Sequence, residues 1–391
     1  MQKVKRVILL IESSRAYGRC LLRGIVKYSK LKGGWSFYNE PRGQEQSLPR
    51  FSSWQVDGAI VRLNESEKAY RFLEKGIPII VAREEDEIGG VPNIVGDNAA
   101  VGKMAGEYLL KKGFKHFGYC GFNYSWSEAR LRSFAETIEN AGCEISAYEP
   151  VRSRRQCSWP NELQRISEWL TRLPKPLAIM ACNDDRGRHV IEACKIANVK
   201  IPYEAVVLGV DNDELFCELS DPPLSSIARD TEAAGFEAAA VLDTLMSGKE
   251  TECNRIIVHP THVVARLSSD ILAIEDPEVA KALSFIQYHS RQDTQVDEVA
   301  EAVAMSRRSL HRRFIKTLGR TVHEEIRRAR VDLVVQMLLE TDMTISQIAY
   351  ELGWSSEKHI ARGFKAIKGV TPLAFRKIHT RLAFSSSTAP S

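Results

Sequence analysis

The sequence predicts a chain in two parts: an α/β region with parallel sheets, then an all-helical region in which one helical motif occurs twice. Strand-like apolar runs alternate with helical segments from Arg6 to about Arg266, and they stop where Asp276-Pro277 begins a new helix. Beyond that point a pattern repeats at an offset of 49 and then 50 residues. Since 391 residues exceed what a single core usually supports, more than one domain is expected.

The first region contains short runs that are apolar throughout, which is typical of parallel strands covered by helices on both faces. Roughly ten strand-helix units are too many for one small sheet, so we expect two lobes with a cleft between them. The predicted strands are Val7 to Ile11, Ala59 to Val61, Ile77 to Ala82, Phe117 to Cys120, Leu177 to Cys182 and Val206 to Val210, and the predicted helices are Leu21 to Leu31, Val101 to Leu110, Phe134 to Ala141, Ile166 to Leu173 and Val190 to Ala197.

Polar clusters follow several of these strands, at the sheet edge where ligands of open α/β sheets bind. Any one cluster is equally well explained as a cap for the next helix. Together with Arg130 and Arg132, however, they favour a polar ligand. The clusters are Glu12-Ser13-Ser14-Arg15, Asp97-Asn98, Asn183-Asp184-Asp185-Arg186 and Asp211-Asn212-Asp213.

The amino-acid composition limits the classes of protein to which the chain can belong. With 44% hydrophobic and 27% charged residues the chain is an ordinary globular one, neither disordered nor fibrous. The eight cysteines show no CxxC spacing and no His partner at a zinc-finger interval, which indicates reduced thiols in the cytoplasm and no metal site. There is no signal peptide and no apolar run long enough to span a membrane, so secretion and membrane insertion are disfavoured.

Enzyme signatures are absent from the sequence. It contains no GxGxxG, P-loop, GxSxG or HExxH motif, and its nine histidines are scattered. We therefore predict no catalytic residues and no cofactor. The weaker alternative is an enzyme in which Asp211-Asn212-Asp213 binds a metal ion and Asp184-Asp185 supplies an acid and a base.

Charge is concentrated at the C-terminal end. Residues 281–391 hold 18 Lys and Arg against 11 Asp and Glu, whereas the preceding residues hold 36 against 39. This distribution indicates a polyanion-binding module attached to another domain.

The repeat lies within the helical region. In the first copy Val296, Val299, Ala300 and Val303 precede Ser306, and in the second copy the same pattern begins at Ile345. Each copy reads as a short helix, a tight turn and a Ser-capped second helix, which is a helix-turn-helix motif. The predicted helices of the region are Val279 to Tyr288, Val296 to Val303, Ser309 to Lys316, Val322 to Leu339, Ile345 to Leu352, Lys358 to Ile367 and Leu373 to Ile378.

The second helix of each copy has a distinctive outer face. In the first copy Ser306 to Arg320 carries six Lys and Arg and no acidic residue, and we expect these charges to meet no counter-charge. Arginine can bind guanine in the major groove, and neighbouring cations hold phosphates. A merely solvated basic helix is the alternative. The second copy is less basic, and its Glu357 is unfavourable near DNA. The helix between the copies, roughly 27 Å long, would place the two outer helices about one DNA turn apart.

These residues resemble a known family. The segment Ile345-Ser-Gln-Ile-Ala-Tyr-Glu-Leu-Gly-Trp-Ser-Ser, followed by Phe364, Gly369-Val-Thr-Pro372 and Phe375-Arg, resembles the signature of AraC/XylS transcription regulators over about residues 279 to 380. Residues 1 to 270 resemble the effector core of LacI/GalR repressors. The resemblance implies an α/β two-lobed periplasmic-binding-protein-like domain (1–272), an all-α double helix-turn-helix DNA-binding domain (273–381) and a disordered tail (382–391).

The resemblance also implies roles for individual residues. The positions expected to contact DNA are Arg307, Arg308, His311, Arg312 and Lys316 in the first copy, and Ser356, Glu357, Lys358, Ala361, Arg362 and Lys365 in the second. The positions expected to bind the effector are Ser13, Tyr17, Trp126, Arg130, Asn183, Asp184, Arg186, Asp211 and Asn212. Trp126 would cover the apolar face of a sugar ring, or else it is an ordinary partly buried tryptophan.

The resulting expectation is a sugar-responsive regulator of transcription. The resemblance implies D-xylose or a related aldose as effector, promoter DNA and RNA polymerase as partners, an activating role and a homodimer in the cytoplasm. The alternative function is a sugar-binding or sugar-processing protein with no role in transcription, which the first 270 residues alone would permit but which leaves the helical domain unexplained.

Overall fold

A computed structural model describes residues 4–32, 34–39, 56–62, 74–82, 87–150, 158–269, 276–292, 294–341, 343–354 and 356–377. The chain forms two compact units, Met1–Ala273 and Ile274–Ser391. The tail predicted to be disordered, 382–391, lies outside the described residues. Within the described ranges no helix combines the length and the apolar character that a membrane span requires.

The first unit contains two six-stranded sheets, one in each lobe. The first sheet has the order β2-β1-β3-β4-β5-β11 and is parallel throughout. Its strands β1, β3 and β4 are almost wholly buried, as their apolar sequences predict. The strands are β1 Arg6–Leu10, β2 Ser36–Asn39, β3 Gly58–Val61, β4 Ile79–Ala82, β5 Asn93–Gly96 and β11 Arg255–Val258.

The second sheet has the order β7-β6-β8-β9-β10-β12. It is parallel except at one edge, where β12 pairs antiparallel with β10. The prediction of parallel sheets therefore misses one strand, because β12 returns to the sheet directly after β11 without a crossover helix. The strands are β6 His116–Cys120, β7 Glu144–Tyr148, β8 Leu177–Ala181, β9 Ala205–Val210, β10 Ser225–Arg229 and β12 Pro260–Val264.

Helices pack in close pairs on each lobe. In one lobe α1 lies against α7, where a Cβ on Gly24 would come within 2.0 Å of the Glu232 carbonyl oxygen. In the other lobe α2 lies against α3, and a Cβ on Gly102 would come within 2.4 Å of the Arg130 carbonyl oxygen. Glycine at these positions permits backbone contact that holds each lobe rigid. The helices are α1 Ala16–Lys32, α2 Asn98–Lys111, α3 Ser125–Asn140, α4 Trp159–Arg172, α5 Asp184–Ile196, α6 Glu214–Glu218 and α7 Thr231–Met246.

The chain crosses between the two lobes after β5, after β10 and after β11. Hydrogen bonds tie the three crossings together: His259 N donates to Asp230 Oδ1 at 2.6 Å, and Asp97 N donates to the Val258 carbonyl at 2.9 Å. His259 Nδ1 lies 3.0 Å from Asp97 Oδ2. The crossings form a hinge beside the cleft, as two lobes joined by several short segments require.

The second unit is helical throughout its described part. The second copy of the motif packs on α11 through Val331, Val334, Ile348, Ile360 and Phe364, all of which are buried. In each copy the second helix begins at a serine N-cap and ends at a left-handed glycine. The helices are α8 Pro277–Tyr288, α9 Val296–Ala302, α10 Arg307–Leu318, α11 Val322–Glu340, α12 Ile345–Glu351 and α13 Glu357–Lys368, and a last helix runs over residues 372–377.

Candidate functional site

A cavity of about 1020 Å³ lies between the two lobes of the first unit. Part of its lining comes from residues at the ends of strands, Arg62 from one lobe and Asn183 and Asp211 from the other, and Tyr17 at the start of α1 adds to it. Because parallel strands end at the same sheet edge, their successors converge. A cavity of this size, with charged groups at its centre, suits a polar ligand.

Asp211 and Arg229 form the centre of the cavity. Arg229 Nη1 donates to Asp211 Oδ1 at 3.0 Å, and the Arg229 side chain is 4% exposed. Burial acts to raise the pKa of Asp211, but the charges of Arg229, Arg130 and Arg62 outweigh it and hold the pKa below its usual value. Asp211 therefore stays ionised and accepts hydrogen bonds.

The backbone at this point is strained. Asp211 has φ +98° and the next residue, Asn212, has φ +46°, a region that non-glycine residues rarely adopt. Strain of this kind is kept where the surrounding structure requires a particular side-chain direction. Here it aims Asp211 into the cavity.

Arg130 is a buried cation at the same site. It is 3% exposed, its Nε donates to Asn98 Oδ1 at 2.9 Å, and its Nη1 donates to the Cys182 carbonyl. Its guanidinium lies 4.8 Å from the centre of the Trp126 ring. Burial and the charge of Arg229 lower the pKa of Arg130, but Arg130 keeps its positive charge at neutral pH.

A second network joins the lobes. Asp213, which is 2% exposed, accepts hydrogen bonds from the Ala16 backbone N–H and from Arg19 Nη2 at the start of α1, both at 2.7 Å. Its own N–H donates to Asp184 Oδ2 at 2.7 Å. Asp184 is buried, and burial together with the charge of Asp211 raises its pKa well above the usual value. The α1 end of one lobe is thus fastened to the core of the other.

Arg186 supports the floor of the cavity. It is 1% exposed, pairs with Glu162 at 2.8 Å, and donates twice to the Gly121 carbonyl. Its guanidinium lies 4.1 Å from the Phe122 ring centre. These contacts satisfy the Arg186 guanidinium within the protein and hold the Phe122 ring in place beside it.

The outer face of α10 is basic and open to solvent. Arg307, Arg308, His311, Arg312 and Lys316 are all exposed. The six Lys and Arg side chains of residues 306–320 were expected to have no acidic partner, and this expectation is wrong for three of them. The acids lie outside α10, where the local sequence gave no sign of them: Arg307 pairs with Asp297 on α9, Arg313 with Asp276 just before α8, and Arg320 with Glu325 on α11.

The outer face of α13 has the same placement and a different charge. Ser356, Glu357, Lys358, Arg362 and Lys365 are exposed, and Ala361 is half-buried. Ser346 donates a hydrogen bond to Glu357, so the one acid of this face is held against α12. Lys368 pairs with Asp332 at 2.7 Å.

Comparisons with known proteins agree with this architecture. A family model for a periplasmic binding protein-like domain matches residues 107–269, and one for a helix-turn-helix domain matches residues 299–378. The chain is 27% identical over 389 residues to the xylose operon regulatory protein of Escherichia coli K12, covering 97% of this chain and 99% of that protein. The protein of the same name from Haemophilus influenzae is 28% identical over 380 residues, covering 95% and 98%.

Solved structures show the same likeness. The structure of the xylose-binding transcription activator XylR matches with a TM-score of 0.83 and 26% identity, over 96% of this chain and 99% of that one. The chain thus joins a periplasmic binding protein-like domain to an AraC-type helix-turn-helix domain, and these full-length relatives match it over both domains. A LacI-type regulator from Alkaliphilus metalliredigens, with a TM-score of 0.55 and 22% identity over 68% of this chain and 99% of that one, shares the fold of the first unit.

The full-length relatives are transcription regulators and not enzymes, and this chain carries the helix-turn-helix domain of a DNA-binding regulator. In the described part of the chain no group of His, Cys, Asp and Glu side chains is arranged to hold a metal ion.

The structure brings seven of the nine predicted effector residues to the cavity lining. Two lie outside it: Ser13, and Asn212, whose Oδ1 accepts from Arg266 Nη1 at 2.9 Å. The positive φ angles of Asp211 and Asn212 direct these two neighbouring side chains differently, so the Asn212 side chain points away from the cavity. The seven residues in the lining are Tyr17, Trp126, Arg130, Asn183, Asp184, Arg186 and Asp211.

Several lining residues were missed. Arg62 directly follows the predicted strand Ala59 to Val61, so its position after a strand was a usable signal. Arg229 ends β10, whose sequence Ser225-Ser-Ile-Ala-Arg229 is too polar to be recognised as a buried strand. Glu12 and Asp213 stood in the predicted clusters but were not selected.

Proposed function

We propose that this protein activates genes of pentose use, with D-xylose as its effector. The sugar binds between the lobes of the first unit, and in a homodimer this binding repositions the double helix-turn-helix units on promoter DNA and favours recruitment of RNA polymerase. The names of the full-length relatives, a xylose operon regulatory protein and a xylose-binding activator, support this assignment.

The observation that carries the proposal is the charged group in the cavity lining, where Asp211 pairs with Arg229 at 3.0 Å and the charge of Arg130 also lowers the pKa of Asp211. Buried polar groups need hydrogen-bond partners, so a ligand that fits here must both accept and donate hydrogen bonds. Sugar hydroxyls fit because each both accepts and donates a hydrogen bond.

The remaining polar groups complete the complementarity. The ionised Asp211 accepts from hydroxyls, and Arg130 and Arg229 donate to them. A sugar that lacks a hydroxyl at the matching position leaves one of these buried groups unpaired, which costs about 1–3 kcal/mol. The cavity therefore discriminates among sugars by the arrangement of their hydroxyls.

The Asp213 network supplies the conformational link. It joins the lobes through Ala16 and Arg19, beside the proposed sugar site. A sugar that contacts both lobes stabilises their closed arrangement by its difference in affinity between the closed and open states. Closure of the two lobes is thus the conformational change that the first unit passes on to the helix-turn-helix unit.

For DNA, we propose that Arg308, His311, Arg312 and Lys316 of α10 lie in one major groove, and that Lys358, Ala361, Arg362 and Lys365 of α13 lie in the next. All but the half-buried Ala361 are exposed. The 19 residues of α11 give a length of about 28 Å, which suits grooves about 34 Å apart.

The test is a thermal-shift and calorimetry panel of pentoses and hexoses on the full chain. D-Xylose is expected to raise the melting temperature most, since binding stabilises by RT ln(1 + [L]/Kd). Sedimentation in the presence of a duplex selected by the wild-type protein from random DNA is expected to show two chains per complex. Absence of any aldose response would overturn the effector assignment, and one chain per duplex would overturn the homodimer.

A further inference from the structure

The cavity is longer than one sugar. Its lining on the second lobe follows the strand ends from Arg229 of β10, through Asp211 after β9 and Asn183 after β8, to Phe122 after β6 and Pro150 after β7. Five neighbouring strand ends at about 4.8 Å separation span about 19 Å. Of the groups proposed to bind the pentose, Asp211 and Arg229 lie at the ends of β9 and β10, and Arg130 on α3 reaches the Cys182 carbonyl just after β8.

The part beyond β8 has a different character. Phe122 and Trp159 give it aromatic walls, and Trp159 at the start of α4 is 57% exposed although it lines the cavity. A large aromatic side chain that remains exposed at a binding site is suited to pack against the apolar face of a further ring. Phe122 is fixed in place by the guanidinium of Arg186.

His189 adds a polar group to the same part. Its ring centre lies 6.4 Å from that of Trp159, and its Nδ1 is buried without a hydrogen-bond partner within the described residues. Burial, and then the charge of Arg186, lower the pKa of His189 to about 4. At neutral pH the imidazole is neutral, so its other nitrogen, Nε2, can donate or accept one hydrogen bond with a hydroxyl group.

We infer that Trp159, His189 and Phe122 form a second sugar subsite, and that the cleft takes a disaccharide of pentose units with its second ring against Trp159. The inference rests on the proposed function, since it places the first ring at Asp211, Arg130 and Arg229. The second subsite adds an aromatic face and one hydrogen-bonding group, so it increases affinity for the disaccharide without changing the site of the monosaccharide.

The test is calorimetry of the full chain with D-xylose and with β-1,4-xylobiose. The wild-type protein is expected to bind xylobiose at least about tenfold more tightly than D-xylose. Trp159→Ala should reduce xylobiose affinity to the level of D-xylose and leave D-xylose affinity within about twofold. His189→Gln should reduce the preference for xylobiose by a smaller factor. Leu215→Ala, at an exposed position of the same unit outside the cavity lining, is the matched control.

The outcomes separate the two claims. If D-xylose binds and xylobiose binds no more tightly, the subsite is overturned and the proposed function stands. If Trp159→Ala weakens both sugars equally, the second ring is not at Trp159 and the inference is overturned. If neither sugar binds the wild-type protein, both the proposed effector and the subsite are overturned.

Discussion

The two helix-turn-helix copies share their interior and differ on their surface. Val299 and Ala300 of the first copy are buried, as are Ile348 and Ala349 of the second, and Leu310 and Phe314 correspond to the buried Ile360 and Phe364. Both second helices begin at an N-capping serine and both end at a glycine of positive φ. A few buried positions and caps therefore specify the motif twice.

The exposed positions diverge. Arg307, His311 and Lys316 of the first copy correspond to Glu357, Ala361 and Ala366 of the second. One contact occurs in both copies with different chemistry: Arg307 forms an ion pair with Asp297 on the preceding helix, and at the same two positions Glu357 accepts a hydrogen bond from Ser346. Packing thus preserves the scaffold of both copies, while the surface proposed to face DNA differs between them.

The largest expected effect comes from the basic face of α10. The double variant Arg308→Ala/Arg312→Ala should weaken binding to a selected duplex by about 3 kcal/mol, because each arginine that reads a guanine contributes about 1–3 kcal/mol. Arg362→Ala on α13 should cost about 1 kcal/mol. Fluorescence anisotropy at several salt concentrations measures both.

Arg328→Ala is the matched control, since Arg328 is an exposed cation of α11 outside both recognition helices. It should change affinity little. If Arg362→Ala weakens DNA binding as much as the double variant does, the prediction that α10 contributes more to DNA affinity than α13 is wrong. If the double variant weakens all sequences equally, the α10 arginines contact phosphates and not bases.

In each copy the turn between the two helices contains a residue with a positive φ angle, and that residue differs between the copies. Ala304 of the first copy has φ +52°, and the corresponding residue of the second copy is Gly353, with φ +63° and open space around its α-carbon. Gly353→Ala should lower the free energy of unfolding by about 1 kcal/mol, and Ala304→Gly should raise it by about 1 kcal/mol. Denaturant midpoints of the full chain measure both changes. Equal signs for the two variants would show that side-chain contacts, and not φ, decide the outcome.

A smaller effect is expected from making the second copy more like the first. Glu357→Arg removes a negative charge from the DNA-facing end of α13 and adds a positive one. Binding should tighten by up to about 1 kcal/mol on any sequence, and the slope of log affinity against log salt should steepen by about 1. Glu351→Arg, an exposed acid on α12, is the control. A salt slope unchanged by Glu357→Arg would place α13 away from the phosphates.

The sequence predicts the scaffold better than the site. The strands β1, β8 and β9 and the two helix-turn-helix motifs follow from local periodicity, and the predicted fold class and family are confirmed by the comparisons. β12 was missed because it is half exposed and joins the sheet antiparallel. The counter-charges Asp276, Asp297 and Glu325 were missed because they lie outside α10, Asp276 just before α8 and the other two on α9 and α11.

Within the cleft, position after a strand indicates which residues converge but not where each one points. Asp211 and Asn212 are consecutive, yet one lines the cavity and the other contacts Arg266. Their positive φ angles separate them, and no local pattern indicates such angles at non-glycine residues. Arg186 matched a pattern expected of a ligand contact, but burial engages it with Glu162 and Gly121.

The most direct test of the account measures sugar and DNA together. Affinity for the selected duplex is followed during a D-xylose titration in the wild-type protein and in Asp211→Ala. Wild-type affinity is expected to change with the sugar, whereas the variant is expected to bind DNA as the sugar-free wild type does and to show no change at the same D-xylose concentrations. An Asp211→Ala protein that responds to D-xylose at the wild-type concentration would contradict the proposed role of the Asp211 site in coupling sugar to DNA.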